Sequence, residues 1–241
     1  MDPGTILTLG ARNLGGAILD HHLGRGWRGA AVARSEDTLA QVRERGALAI
    51  EADAADPADL ERAIVAVRDE HGGVDLIVNA VSAARPPRSG GPWGGGPIAD
   101  GTMGAVRGWT SAVAEQCFAF LSTGARALRE QGRGGTLIQV TGGSSRRAMP
   151  GRGLWAAGAF GVRAITSAAA LELREHGIHV ALLIVDAGIE PFEGGGREGV
   201  DRAALADPRE IADAVVFLAE QGARAATHEL QVTPLAEAWV P

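Results

Sequence analysis

The residues with the clearest chemical potential near the start of the chain are glycines set in a turn. Leu7-Thr8-Leu9-Gly10-Ala11-Arg12-Asn13-Leu14-Gly15-Gly16 stands between an apolar run and a helical pattern. A strand–turn–helix of this kind lets backbone N–H groups and the positive end of a helix approach a pyrophosphate, because glycine permits close contact and the first helical turn has unpaired donors. Gly10, Arg12, Asn13, Leu14 and Gly16 are the candidate binding positions there. Glycine clusters arise easily in a chain with 35 glycines, so the weight lies in where this one is placed. Asp53, Ala54, Asn79 and Ala80 follow β-rich runs, where Asp and Asn either bind a ligand or form turns. Ser144 and Ser145 are candidate proton donors beside Arg146, Arg147 and Arg152, a set that reads as an anion site or as a solvated basic loop. The six His are scattered without metal-ligand spacing, so no metal site is expected.

These residues need a frame. Short β-rich runs at Thr5–Thr8, Ala30–Ala33, Leu76–Val78, Leu137–Val140 and Val180–Val185 alternate with amphipathic helices. That alternation predicts an α/β fold, a doubly wound parallel sheet of about seven strands with helices on both faces. Asp56-Pro57 and Asp207-Pro208 each start a helix, since Asp accepts from orphan amides and Pro suits the first helical position. Another helix is expected from Trp109 to Leu128. The Gly/Pro-rich stretch from Ala84 to Gly96 reads as a loop within one domain covering residues 1–241.

Composition removes several function classes. A net charge of −6 argues against a nucleic-acid partner held by phosphate neutralisation. The longest apolar run, Val180–Val185, is too short to span a bilayer, and the N-terminal residues read as no signal peptide. Cys117 stands alone, so an intrachain disulfide is impossible and a cytoplasmic location is expected. There is no Tyr, and all 23 basic residues are Arg.

The glycine turn is similar to the T-G-x-x-x-G-x-G of short-chain dehydrogenase/reductases, with Gly10 and Gly16 matching and Leu14 at the middle glycine. Val74-Asp75-Leu76-Ile77-Val78-Asn79-Ala80 resembles that family's D-x-L-V-N-N-A-G, and Gly134–Thr141 resembles the strand leading to its catalytic serine. Asp207–Ala219 resembles its late helix, and Asp186-Ala187-Gly188 its P-G turn beside the nicotinamide, with only Gly188 kept and Phe192 where a Thr often follows. The resemblance implies a single Rossmann domain that binds a nicotinamide dinucleotide, with Asp53 near the adenine ring and Asn79 in contact with the cofactor. It implies a small-molecule substrate and a homodimer or homotetramer built on late helices, here 155–175 and 207–220. The second strand ends at Ala33 without the acid that binds a ribose 2′-hydroxyl, and Arg34 follows it. Arg34 and Arg12 suit a 2′-phosphate, so NADP(H) is favoured over NAD(H).

Pro150–Val162 resembles the family's P-x-x-x-x-Y-x-A-S-K-x-A-V, which places Trp155 at the Tyr and Ala159 at the Lys. Counting back, Gly142 falls at the Ser, and no Asn lies between Val113 and Gln116 where the family's helix carries one. Tyr titrates near ~10 and works near neutrality because the lysine charge lowers that value. An indole N–H donates a hydrogen bond but does no acid–base work in water. The chain holds neither Tyr nor Lys elsewhere, so the Tyr/Lys relay is excluded. Ser144, Ser145, a water or a residue from elsewhere in the chain remain as donors, and Gln116 replaces part of the lost Asn. Two functions compete: an NADP(H)-dependent oxidoreductase acting on a small carbonyl or alcohol by a non-tyrosine proton route, and a catalytically silent NADP(H)-binding sensor or partner-support protein. A non-redox enzyme that has reused the pocket is a third.

Overall fold

The protein is described by a computed structural model over residues 3–82, 94, 96–192 and 201–237. Its elements run β1 Thr5–Leu9, α1 Leu14–Gly24, β2 Arg28–Ala33, α2 Glu36–Glu44, β3 Leu48–Glu51, α3 Pro57–His71, β4 Leu76–Asn79 and α4 Met103–Gln131. Then follow β5 Gly135–Gly142, α5 Gly153–Glu172, β6 Ile178–Val185, β7 Gly188–Ile189, β8 Leu205–Ala206, α6 Pro208–Ala219 and β9 Glu229–Val232. Seven strands form one sheet in the order β3-β2-β1-β4-β5-β6-β9, and each neighbouring pair is parallel. β7 and β8 pair separately as a short parallel ribbon.

Strand alternation builds the layers. Leu7, Leu9, Ile77, Leu137, Leu182 and Ile184 face one core under α3, α4 and α5. Ile6, Leu76, Val78, Ile138 and Leu183 face the other, under α1, α2 and α6. Burial on both faces explains why these strands read as continuous apolar runs. The strand order reverses between β1 and β4, and ligands of open α/β sheets bind beyond the carboxyl ends of strands at such a switch point.

Local signals explain the helix starts. The Asp56 side chain accepts from the N–H groups of Ala58 and Asp59 ahead of α3, and Asp207 accepts from Arg209 ahead of α6. α4 begins earlier than its apolar periodicity indicates, because the Thr102 hydroxyl caps Ala105 N at 3.1 Å. β9, Glu-Leu-Gln-Val, gave no strand signal: it is a short, half-polar edge strand with all four residues partly buried. α5 is the one described helix long and apolar enough to cross a bilayer. In the fold it packs on α4 and β6, with Ala156, Ala159, Val162 and Ala170 buried. Within the Gly/Pro-rich stretch only Gly94 and Gly96 are described; Gly96 N donates to Gly151 O at 3.2 Å, and Trp93 lies outside the described residues.

Candidate active site at the carboxyl edge of the sheet

Gly10 leaves β1 with φ of +83°, a left-handed conformation suited to glycine, and packs against Val81. A Cβ on Gly15 would overlap the Gly10 carbonyl oxygen, and one on Gly16 would press on that of Ala11. The turn is therefore wound so tightly on the start of α1 that both positions must be glycine. Leu14, at the middle glycine of the motif, is buried in the apolar cluster beneath α1. Asn13 stands at the N-cap but does not cap: its side-chain oxygen accepts from Phe192 N at 2.7 Å, and the first turn of α1 carries no acid. Arg12 is exposed. Phe192 lies between two guanidinium groups, Arg45 at 5.5 Å and Arg209 at 4.9 Å from its ring centroid.

At the next strand ends, Arg34 and Asp53 approach to 3.6 Å with side chains 76% and 47% exposed. A pair this open holds neither group firmly. Asp53 accepts from Ala55 N and donates its own N–H to Asp59, which holds the Asp59 carboxyl below the usual Asp range with help from Arg62. Ala54 is buried and Ala80 partly buried. Asn79 is buried; its amide donates to Gln139 Oε1 at 2.9 Å and its oxygen accepts from Val81 N at 3.3 Å. It ties β4 to β5 and turns the chain at the carboxyl end of β4, rather than facing solvent. Gly188 is exposed in β7.

Beyond β5 and along α5, Gly142 ends the strand and its carbonyl accepts from the buried Ser145 hydroxyl at 2.9 Å. Ser144 is half-buried and its side chain makes no hydrogen bond among the described residues, and the same holds for the side chain of Gln116. Trp155 meets Trp109 edge-on at 5.5 Å and 88°. Trp109 is buried with its Nε1 unpartnered among the described residues, and Ala159 is buried a turn further along α5. Two of the arginines that read as an anion site or a solvated basic loop are tied to acids: Arg146 to Glu229 at 3.3 Å and Arg147 to Asp186 at 3.1 Å. Glu229 also takes both donors of Arg163, at 2.6 and 3.0 Å. Cys117 is no nucleophile here, since burial pushes its thiol up to about 11. No cluster of metal-ligating side chains occurs among the described residues.

Sequence reasoning passed over Asp186 as a functional residue. It is the one carboxylate among the buried described residues, 8% exposed at the end of β6. The signal was there to read: a lone acid closing the apolar run Val180–Val185.

The profile described as "Enoyl-(Acyl carrier protein) reductase" matches residues 11–232. This chain belongs to the short-chain dehydrogenase/reductase family. A sorbitol dehydrogenase from Cereibacter sphaeroides is 28% identical over 178 residues, 73% of this chain and 66% of the relative's length. A D-threitol dehydrogenase from Mycolicibacterium smegmatis is 26% identical over 236 residues, 90% of this chain and 86% of the relative. An alcohol dehydrogenase from the archaeon Thermococcus sibiricus, solved with 5-hydroxy-NADP, superposes with a TM-score of 0.76 at 19% identity over 100% of both chains.

The cofactor of a short-chain dehydrogenase/reductase is a nicotinamide dinucleotide, and the carboxyl edge fits one. Gly15 and Gly16 let the turn close on the Gly10 and Ala11 carbonyls, which a Cβ would overlap, so the cradle there is tight backbone, and α1 presents a first turn with neither a side-chain cap nor an acid. Both features suit a pyrophosphate. Gly10, Arg12 and Asn13 would border its phosphates, and Arg34 and Asp53 its adenosine.

Proposed function

We propose that this chain is an NADP(H)-dependent oxidoreductase that interconverts a small alcohol and its carbonyl compound without a tyrosine–lysine relay. The observation that carries the reading is the glycine turn, sterically committed at Gly15 and Gly16 in a chain that has no Tyr and no Lys. Such a cofactor supplies hydride chemistry when bound, and the protein's part is alignment, electrostatics and a proton route. The family relatives named for sorbitol and D-threitol support a small polyol or hydroxyketone as substrate. Arg34 at the end of β2, with no acid in that place, supports the 2′-phosphate.

A second reading has an observation of its own. Gly142, Trp155 and Ala159 carry no titratable group, which favours a catalytically silent NADP(H)-binding protein. One experiment separates the two. NADPH and NADH are titrated into the protein following Trp fluorescence, then turnover is measured on a panel of polyols and small ketones. Tight NADPH binding with turnover supports the oxidoreductase; tight binding without turnover supports the silent reading; binding of neither nucleotide overturns both. Phe118 on α4 and Phe160 and Leu171 on α5 are large exposed apolar side chains, which supports a homodimer or homotetramer, read by light scattering.

A further inference from the structure

Asp186 sits where a buried charge needs a reason. Its backbone is fixed, with its N–H donating to Val232 O at 3.0 Å and its carbonyl accepting from the Thr233 hydroxyl at 3.2 Å. Its carboxylate reaches across from β6 to β5 and fills the space over Gly143, where any Cβ would overlap it. Arg147 Nη2 bridges both oxygens, at 3.3 Å to Oδ1 and 3.1 Å to Oδ2, and Gln231 Nε2 stands 3.5 Å from Oδ2. Oδ1 thus receives one long contact and keeps acceptor capacity. Gly143 is the neighbour of Gly142, the residue that ends β5, so the carboxylate stands at the carboxyl edge where open α/β sheets bind their ligands. The next acid along the chain, Glu190, is engaged by Arg202 at 2.6 Å.

We infer that Asp186 is the catalytic proton acceptor of this site and Arg147 its positioning residue, a role that rests on the oxidoreductase reading above. In alcohol oxidation the carbinol O–H bond breaks and its proton passes to Asp186 Oδ1. A nicotinamide held at the Gly10–Gly16 turn would supply the hydride acceptor as the carbinol C–H bond breaks with its electron pair and the C–O bond becomes C=O. The proton then leaves Asp186 for solvent; in the reductive direction the carboxylic acid returns it to the carbonyl oxygen. Seating the Asp186 carboxylate against the end of β5 requires glycine at 143, where a Cβ would overlap it, and this chain has glycine there.

The test uses the full chain with NADP⁺ and D-threitol or sorbitol as alcohol probes. Asp186→Asn and Asp186→Ala should lower kcat by about 100-fold or more, the range for loss of a general base. NADPH affinity, measured by calorimetry, should stay within about threefold, since the carboxylate is not expected to touch the nucleotide phosphates. Sodium formate, but not sodium chloride, should restore part of the Asp186→Ala rate, because formate fits the vacated seat over Gly143. Arg147→Gln, at a more exposed position, should lower kcat about tenfold with little change in melting temperature. Wild-type kcat in folded Asp186→Asn, or variants affected in melting temperature alone, overturns the proposal while leaving the oxidoreductase reading intact. Absence of formate rescue, or NADPH binding by the wild type without turnover of any alcohol, also overturns it. Failure of the wild type to bind NADPH instead removes the reading beneath it.

Discussion

His22 makes the stability of this fold depend on pH in a way that can be calculated. Its ring lies in the last turn of α1, 1% exposed, with Nδ1 2.7 Å from Ile18 O, Trp27 edge-on at 5.2 Å, and Nε2 unpartnered among the described residues. Burial lowers its pKa to about 4, the Ile18 carbonyl opposing this only in part. In the unfolded chain the imidazole titrates near 6.5. Between these values the unfolded state binds more protons than the folded one, so stability is fully present above about pH 6.5 and falls as the pH drops towards about 4. With these two values the loss is under ~0.1 kcal/mol at about pH 7.5 and about 2 kcal/mol at about pH 5. His22→Phe keeps the ring shape, removes the orphaned nitrogen and abolishes this proton linkage. Urea unfolding of both proteins at the two pH values is the assay. With an m-value of roughly 3 kcal/mol/M for a chain of this size, the wild type should lose about 0.7 M more in midpoint than the variant on acidification. His179 is also held below its usual pKa by burial, but it is present in both proteins and cancels in the comparison. Equal acid sensitivity of wild type and His22→Phe would refute the reasoning.

The other expectations concern the site and its neighbours. Gly15→Ala forces the turn off the Gly10 carbonyl, so NADPH binding should weaken at least about tenfold and the melting temperature fall by a few degrees, at roughly 2–4 °C per kcal/mol of overpacking; unchanged binding would show that the cradle is not used. Arg34→Ala removes a charge-assisted phosphate contact of about 1.5–3 kcal/mol while giving up only the open Asp53 pair. NADPH affinity should therefore drop about 10–100-fold and NADH affinity should not change. Cys117, buried beside Thr166, should not react with a thiol-specific reagent at about pH 8 until denaturant is added, because so little thiolate is present.

How much of this could be read from the chain depended on the distance over which the cause acts. Helix starts at Asp56-Pro57 and Asp207-Pro208 and the glycine turn are set by neighbours within a few residues, and pattern reading finds such features. β9 was missed because an edge strand satisfied by one neighbour needs little apolar patterning. Arg146 and Arg147 read as free cations for the same reason that Asp186 was passed over. Their partners, Glu229 and Asp186, are brought in by β9 and β6 from distant parts of the sequence, and no local spacing announces them. Asn79 was legible as a strand-end amide, but its bond to Gln139 follows from the β4–β5 register, which only the sheet supplies.

Composition and topology together restrict the proton chemistry more than either does alone. Every cation in the chain is Arg or His, and guanidinium does not give up a proton in proteins, so 23 of the basic groups can bind and orient but cannot act as acid or base. The six imidazoles are then the usual recourse at neutral pH. Their placement removes them. His21 and His22 end α1 ahead of β2, His71 ends α3 ahead of β4, His176 and His179 flank the start of β6, and His228 precedes β9. In a parallel sheet every one of those positions lies at the amino edge, roughly 13–26 Å from the carboxyl ends of strands four to eight residues long at ~3.3 Å per residue. Proton transfer at the carboxyl edge therefore falls to hydroxyl groups, water and carboxylates. Ser145 already donates to Gly142 O; of its described neighbours Ser144 and Asp186, the carboxylate can take a proton without first losing one.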